Sequence, residues 1–447
     1  MQVTVAMVSK GSATAADPWG EGKNYMVLRL KSAAVAAAVI TASVSVGACS
    51  SSGSSNSSAA GNGATSAPAS GGGSTAAGAA ASGSPTTIGV ICSCSGPFGT
   101  TVSQAYTVVQ DWAKSVNAAG GLNGHPVTLL EKDNGSVPGS ALTDAQAVIA
   151  AKPAAIIDLD ILDAVWQKAA SSANIPVVGG NFSVEAYYTD PNWYPSGQTN
   201  DSITYSVAAV AKQAGATSLA DFYCAESAQC QSSVPLIKAA GQSVGVPVVY
   251  SASIAATAPN YTAQCVAAKQ AGVKAIFIGD SITVIGRVAS DCNQQGYNPV
   301  FVTEGTGFQD LALTVPGLKD HLWSSYPILP YFSSAASITA MNAVLDKYSP
   351  GLRGNKNIWS EFAVQGWTAG LLLAQGVKNS GVTADQAITP ATVTAGLGQV
   401  SNDTLGGISP ALTFTAGRPH PVDCWFTGRV QNGVASQVGG VTCQKSS

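Results

Sequence analysis

The sequence predicts an α/β fold built on parallel sheets with helices on both faces, and three observations carry that expectation. Short β-branched runs alternate with longer helical stretches from residue 86 onward. The runs are near-continuous in apolar residues instead of alternating, as strands buried on both faces are. The segments between them are long enough to hold the crossover helices that parallel strands need.

Taken in order, "TTIGVIC" reads as a strand and "SQAYTVVQDWAKSVNAAGG" as a helix stopped by glycine. "HPVTLLEKDN" is a strand, "SALTDAQAVIAA" a helix, "PAAIIDLD" a strand, "AVWQKAASSA" a helix and "IPVVGG" a strand. The rhythm breaks once, at the aromatic, Pro-rich loop 181–199, which marks a crossing between lobes. It resumes with strands in "SLADFYC", "VPVVYSASI", "VKAIFIGD" and "NPVFVTEG", each separated from the next by a helical segment. Beyond "LWSSYPILPYF" come two helices, "ASITAMNAVLDKY" and "IWSEFAVQGWTAGLLLAQGVKNS". "ALTFTAG", "DCWFTGRV" and "SQVGGVTCQ" then read as two or three antiparallel strands. No repeat stands out at solenoid periods, although the two βα arrays suit two similar lobes.

The 447 residues allow two or three domains, and 46% hydrophobic content supplies a large core. Charged residues make up 10%, against about 25% in an average soluble domain. Nucleic-acid binding, which needs clustered Lys and Arg, is disfavoured. The formal net charge of -3 selects no partner.

Residues 26–49, "MVLRLKSAAVAAAVITASVSVGAC", have the parts of a secretory signal: basic Arg29 and Lys31, then an apolar stretch from Ser32 to Val46. That stretch is shorter than the roughly 20 apolar residues of a membrane span. Its end, "VGAC", resembles a bacterial lipobox, which makes Cys49 the lipidation site and the mature N-terminus. Residues 1–25 carry Asp17, Pro18 and Glu21 and do not suit a signal, so translation is expected to start at Met26. Residues 50–85, nearly all Ser, Gly, Ala, Thr and Asn, read as a flexible linker. Two or more acyl tails suffice for stable anchoring, and the expected location is the outer face of the cell membrane.

Of nine cysteines, Cys49 is set apart and eight remain. An even set behind an export signal reads as disulfides. Local pairing is expected for Cys224 with Cys230, Cys265 with Cys292, and Cys424 with Cys443. Cys92 and Cys94 are left over, either joined in a small ring or reduced. "CSC" has no nearby His or second cysteine pair to make a metal site.

Ligands of open parallel sheets bind outside the carboxyl ends of the strands. The first array offers "CSCSGPFG", "DLDILD" and "GGNFS" there, and the second "FYCAES", "IGDSI" and "TEGTG". Ser95 and Gly96, followed by Phe98, present a hydroxyl and bare amides to an anionic group. Asn181 and Ser183 donate and accept. Asp160, Asp280 and Glu304 suit an ammonium, with Tyr223 and Ser281 beside them. Each of these is also a position where a simple cap or turn residue occurs. Nucleophile-elbow, Walker A, GxGxxG and HExxH motifs are absent, and His125, His321 and His420 neighbour no nucleophile in sequence. Neither an enzyme nor a cofactor is expected.

"TTIGVICSCSGPFGTTVSQAYTVVQDWAKSVNAAGGLNGHPVTLLEKDN" resembles the opening of type I periplasmic solute-binding proteins, the branched-chain amino acid (Leu/Ile/Val) binding family of ABC importers. Ser95 to Pro97 match the family's "SGP" turn and residues 118–127, "AAGGLNGHPV", its "AGGINGxxV". The likeness extends more loosely over residues 86–443. It implies two lobes, 86–198 with 326–405 and 199–325 with 406–447, and crossings near 196–200, 325–327 and 405–411. It also implies a solute in the cleft, a membrane permease as partner, a monomer, and capture by hinge closure without bond chemistry. A sensor of the same fold reporting to a signalling partner is the alternative, and a secreted hydrolase a weaker one.

Carried onto this chain, the family's contacts fall on "DLDILD", on Asn181 and Ser183, near Asp280 and Ser281, and on Glu304. Ser183 keeps the hydroxyl and Glu304 the carboxylate. Asp158, Asp160 and Asp163 replace a small hydroxyl loop, and the aromatic expected near Asp280 is missing. The resemblance with these departures points to a neutral or cationic solute, such as an amide or amine, over leucine.

Overall fold

A computed structural model describes residues 81–180, 184–226, 228–305, 308–356 and 358–444. The expected start-site segment, signal, Cys49 and most of the linker lie outside these residues, as do Asn181 and Ser183.

The first array runs β1 (Thr86–Cys92), α1 (Gly99–Ala118), β2 (Val127–Asp133), α2 (Pro138–Ala150), β3 (Ala155–Leu159), α3 (Gln167–Ser172), β4 (Val177–Gly179), α4 (Ala186–Thr189) and β5 (Trp193–Tyr194). Its strands form an all-parallel sheet in the order β2-β1-β3-β4-β5. Every residue of β3 is buried, because helices cover both of its faces. This is the physical reason "AIIDL" is apolar without alternation, Asp158 apart.

The second array runs α5 (Ile203–Gln213), β6 (Leu219–Cys224), α6 (Ala228–Val244), β7 (Val248–Ile254), α7 (Thr262–Gln270), β8 (Ala275–Gly279), α8 (Ile282–Gln294), β9 (Val300–Glu304) and β10 (Leu322–Tyr326). Three helices follow: α9 (Ala336–Tyr348), α10 (Glu361–Asn379) and α11 (Pro390–Leu397). The chain closes with β11 (Cys424–Gln431), β12 (Val434–Gln437) and β13 (Thr442–Cys443). The second sheet has the order β12-β11-β10-β9-β8-β6-β7, with β13 paired to β11. Strands β6 to β10 are parallel, and the closing strands antiparallel.

One expected strand is not formed. "ALTFTAG" buries Leu412 and Phe414 alternately, as a strand would, yet it joins neither sheet. Its backbone is used locally instead: Leu412 and Asp403 exchange hydrogen bonds, and Phe414 N–H donates to the Val400 carbonyl. Pro410 before it and Gly417, Pro419 and Pro421 after it keep it from extending along an edge.

The chain passes between the sheets three times, and the passages lie side by side. Gln198 N–H donates to the Pro327 carbonyl (3.0 Å), Leu329 N–H to Ile408 (2.8 Å) and Thr199 N–H to Val422 (3.0 Å). The Ser409 hydroxyl donates to the Ser196 carbonyl at 2.7 Å. Between the second and third passages α10 packs on α1, β3 and β4, so the helices after β10 belong with the first sheet.

Disulfides join Cys92 to Cys94, Cys224 to Cys230, Cys265 to Cys292 and Cys424 to Cys443. Two of them clip a central strand to the start of the segment that follows it. Cys265–Cys292 instead ties α7 to α8, with both residues fully buried.

Candidate functional site

The first wall is the carboxyl edge of the five-stranded sheet. Beyond β1, the Asp133 carboxylate from the end of β2 accepts the N–H groups of Cys94 (3.0 Å), Ser95 (3.2 Å) and Gly135 (3.1 Å). The Ser136 hydroxyl donates to the Ser95 carbonyl at 2.6 Å. Gly96 holds φ at 73°, and a Cβ there would stand 2.1 Å from the Gly135 carbonyl oxygen. Only glycine fits that left-handed, close-packed position. Ser95 and Gly96 are exposed, and Phe98 closes the 3-10 turn Gly96–Phe98.

At the end of β3 the three aspartates turn into the fold. Asp160 is fully buried, and its carboxylate accepts from the Ser93 hydroxyl, the Leu162 N–H (3.0 Å) and the Trp166 indole N–H (2.8 Å). Asp158 accepts from its neighbour's N–H at Asp160 (2.9 Å) and from the Tyr187 hydroxyl (2.9 Å). Burial, with Asp163 and Asp160 alongside, pushes Asp158 well up from the carboxylate range. Burial pushes Asp163 up to about 8 despite its hydrogen bond to Asp158. One shared proton explains how two such carboxyls coexist. The loop therefore builds the wall from behind, with Asp160 committed to the fold on both oxygens, and Asp160 is left out of the ligand set proposed below.

The second wall is the carboxyl edge of the larger sheet. Tyr223 pairs in register with Gly279, and Glu304 with Ser325, so these strand ends form one row. Tyr223 is half-buried, as is Glu304. Glu304 meets no hydrogen-bonding or cationic partner among the described residues, and burial pushes its carboxyl up to about 7. Asp280, one residue past the row, accepts the Ser281 N–H at 2.6 Å through Oδ1 and leaves Oδ2 buried without a partner. Burial raises its pKa, the hydrogen bonds of Ser281 lower it, and Glu226 adds a smaller rise. Ser281 caps the start of α8 by position, with an exposed side chain. The nearby Arg287 spends its guanidinium on the Ala256 and Ala258 carbonyls and stands 5.1 Å from the Tyr261 ring centroid.

Sequence reasoning missed a buried aromatic cluster beside the second wall. Phe308, Tyr326, Tyr331 and Phe332 pack edge to face or tilted, with ring centroids 5.3 to 6.3 Å apart, and Trp359 meets Tyr331 at 6.2 Å. Gln309, after β9, forms an antiparallel bridge with Ser360, before α10. The Tyr331 hydroxyl donates to Asp310 at 2.9 Å, and the Ser360 hydroxyl to the Thr101 carbonyl at 3.3 Å. The aromatic character of "YPILPYF" was the available signal; periodicity alone did not gather these rings into one cluster. Among the described residues no cluster of His, Cys, Asp and Glu could hold a metal.

A family model described as "Periplasmic binding protein" matches residues 85–435. No curated protein matches the chain. Among solved structures, a fatty acid ABC transporter substrate-binding protein from Thermomonospora curvata shares 16% identity at a TM-score of 0.65, over 83% of this chain and 95% of that one. A leucine binding protein from Thermotoga maritima shares 15% at 0.64, over 80% and 98%. A solute binding protein of an ABC transporter from R. palustris, in complex with benzoate, shares 17% at 0.63, over 81% and 98%. At these identities the likeness is one of fold: two lobes, each a parallel-rich sheet flanked by helices.

Proposed function

The chain belongs to the periplasmic binding protein family, and from that premise we propose that it is the extracytoplasmic receptor of an ABC importer. It captures a small polar organic solute between its lobes and presents it to a membrane permease. The solute class is an amino acid or an amino-acid-like amide or amine. No bond is made or broken.

One observation carries this reading. The carboxyl edges of two parallel sheets belong to lobes joined by three hydrogen-bonded passages, the arrangement that lets a solute bridge both and favour the closed form. Glu304 is the contact we assign from the second lobe, supported by Tyr223, Asp280 and Ser281. From the first lobe we assign Ser95, Gly96, Phe98, Asn181 and Ser183. The half-buried Glu304 lacks an Arg or Lys partner, which supports a solute with an N–H donor over a carboxylate. Lipidation at Cys49 and a tether over residues 50–85 would keep this monomeric receptor beside its permease.

A thermal-shift screen of amino acids, amides, amines, polyols and aromatic acids tests the proposal. A true solute at 100 times its Kd adds about 2.7 kcal/mol of stability. Glu304→Ala should remove the shift given by an amine. Calorimetric titration showing micromolar binding of leucine, with Glu304→Ala unchanged, would reject the preference for an amide or amine over leucine and Glu304's role together.

A further inference from the structure

Glu361 is the first residue of α10 and is 0% exposed, and neither carboxyl oxygen has a hydrogen-bond partner. The start of a helix favours an anion, but its free N–H groups do not reach these oxygens. One turn on, Gln365 Oε1 is also buried without a partner. On α1, Gln104 Oε1 is a third such acceptor, its amide nitrogen being given to the Leu352 carbonyl at 3.2 Å. An ionised carboxylate here would be a buried charge with nothing to answer it. A carboxylic acid has an O–H to donate, and Gln365, at i+4 on the same helical face, offers an acceptor.

The position of Glu361 gives this proton a role. Ser360, the preceding residue, forms the bridge to Gln309 that joins the lobes. We propose that closing the cleft seals Glu361 as a neutral acid, so that each closing event takes up one proton and opening releases it to water. The proposal rests on the hinged two-lobe reading above. Burial, the sole cause of the shift, holds the carboxyl well above its ordinary range.

The other ionisable groups around α10 do not supply the missing partner. Tyr326 and Tyr331, whose acidity Glu361 weakens, face it from β10 and the loop after it, and Asp310 is engaged by Tyr331. On α1, Tyr106 turns to Glu131, and Asp111 pairs with Lys114 at 2.9 Å. From β3, Asp158 is held by Tyr187, while β4 and α11 carry no titratable side chain.

Once the bridge parts, Glu361 returns to an ordinary carboxyl pKa of about 4.3. Each pH unit above that value, up to the pKa of the closed state, then makes closing about tenfold less favourable. The test needs no solute. Fluorophores on Gln294→Cys (α8) and Lys378→Cys (α10), both exposed sites, report the separation of the lobes in the full chain from pH 5 to 9. The separation should lengthen as pH rises, and Glu361→Gln should hold it short throughout. If Glu361→Gln fails to fold, Glu361→Met should instead hold the separation short, and the protonated-carboxyl infrared band that wild type loses as pH rises should be missing from that variant's difference spectrum. A separation that solutes change but pH does not overturns the proton coupling and leaves the receptor reading standing. A pH response that survives in Glu361→Gln also overturns it. A separation that neither solute nor pH changes overturns both.

Discussion

Gly305→Ala adds a single methyl group directly after Glu304, and the structure sets its cost. An added Cβ would lie 2.1, 2.6 and 2.6 Å from three atoms of the Tyr326 ring. The ring has little room to retreat, because it is buried and packed edge to face against Phe308 (6.3 Å between centroids) and Phe332 (5.6 Å). Overpacking of this kind costs about 1–3 kcal/mol, and a ring hemmed in on both sides puts it near about 3 kcal/mol. That is on the order of 100-fold in the unfolding equilibrium. Gly139→Ala is the matched control, since Gly139 lies in α2 with nothing within 4 Å. There the same change should stabilise by about 0.5–1 kcal/mol, because alanine loses less freedom in a helix. Urea unfolding of both variants, followed by tryptophan fluorescence, measures the two signs. A Gly305→Ala protein within 0.5 kcal/mol of wild type would refute the claim that the Tyr326 ring has no room to yield.

Three further outcomes follow from buried groups. Replacing Cys265 and Cys292 by alanine opens a loop of sequence separation 27, which chain entropy converts to a loss of about 3.5 kcal/mol in urea unfolding. His420 stacks on Tyr194 at 4.7 Å and meets Phe414 at 4.8 Å, and burial pushes it down to about 4. Its contribution is present above the unfolded pKa of about 6.5 and is lost as pH falls towards 4, a change of about 3 kcal/mol that His420→Phe should abolish in a pH series of melts. Asp163 has the opposite sign: its raised pKa of about 8 makes stability fall as pH rises from the unfolded value towards 8. Asp163→Asn should flatten that fall.

How much of this was legible in the sequence follows from which forces are local. Both βα arrays were readable because burial on two faces forces near-continuous apolar strands, as in "AIFIG" and, Asp158 apart, "AIIDL". "ALTFTAG" misled for the converse reason: alternation records burial, and Leu412 and Phe414 are buried, but pairing requires a free edge that no local pattern reveals. The strand-end rule gathered Tyr223, Asp280 and Glu304 on one edge of the larger sheet. It also listed Asp160, whose inward turn depends on Ser93, 67 residues away, and on Trp166. Glu361 was hidden within a helical run, since nothing in "WSEFAVQ" shows that Gln309 closes over its first turn.

The three passages between the lobes are tied edge to edge, at Gln198 with Pro327, Leu329 with Ile408, and Thr199 with Val422. Such a ribbon flexes across its width without loss, whereas twist or shear would break those bonds. On the hinged reading proposed above, the two halves are left with a single soft coordinate. Probes attached anywhere across the molecule should therefore register one transition with one midpoint, whatever distance each of them spans.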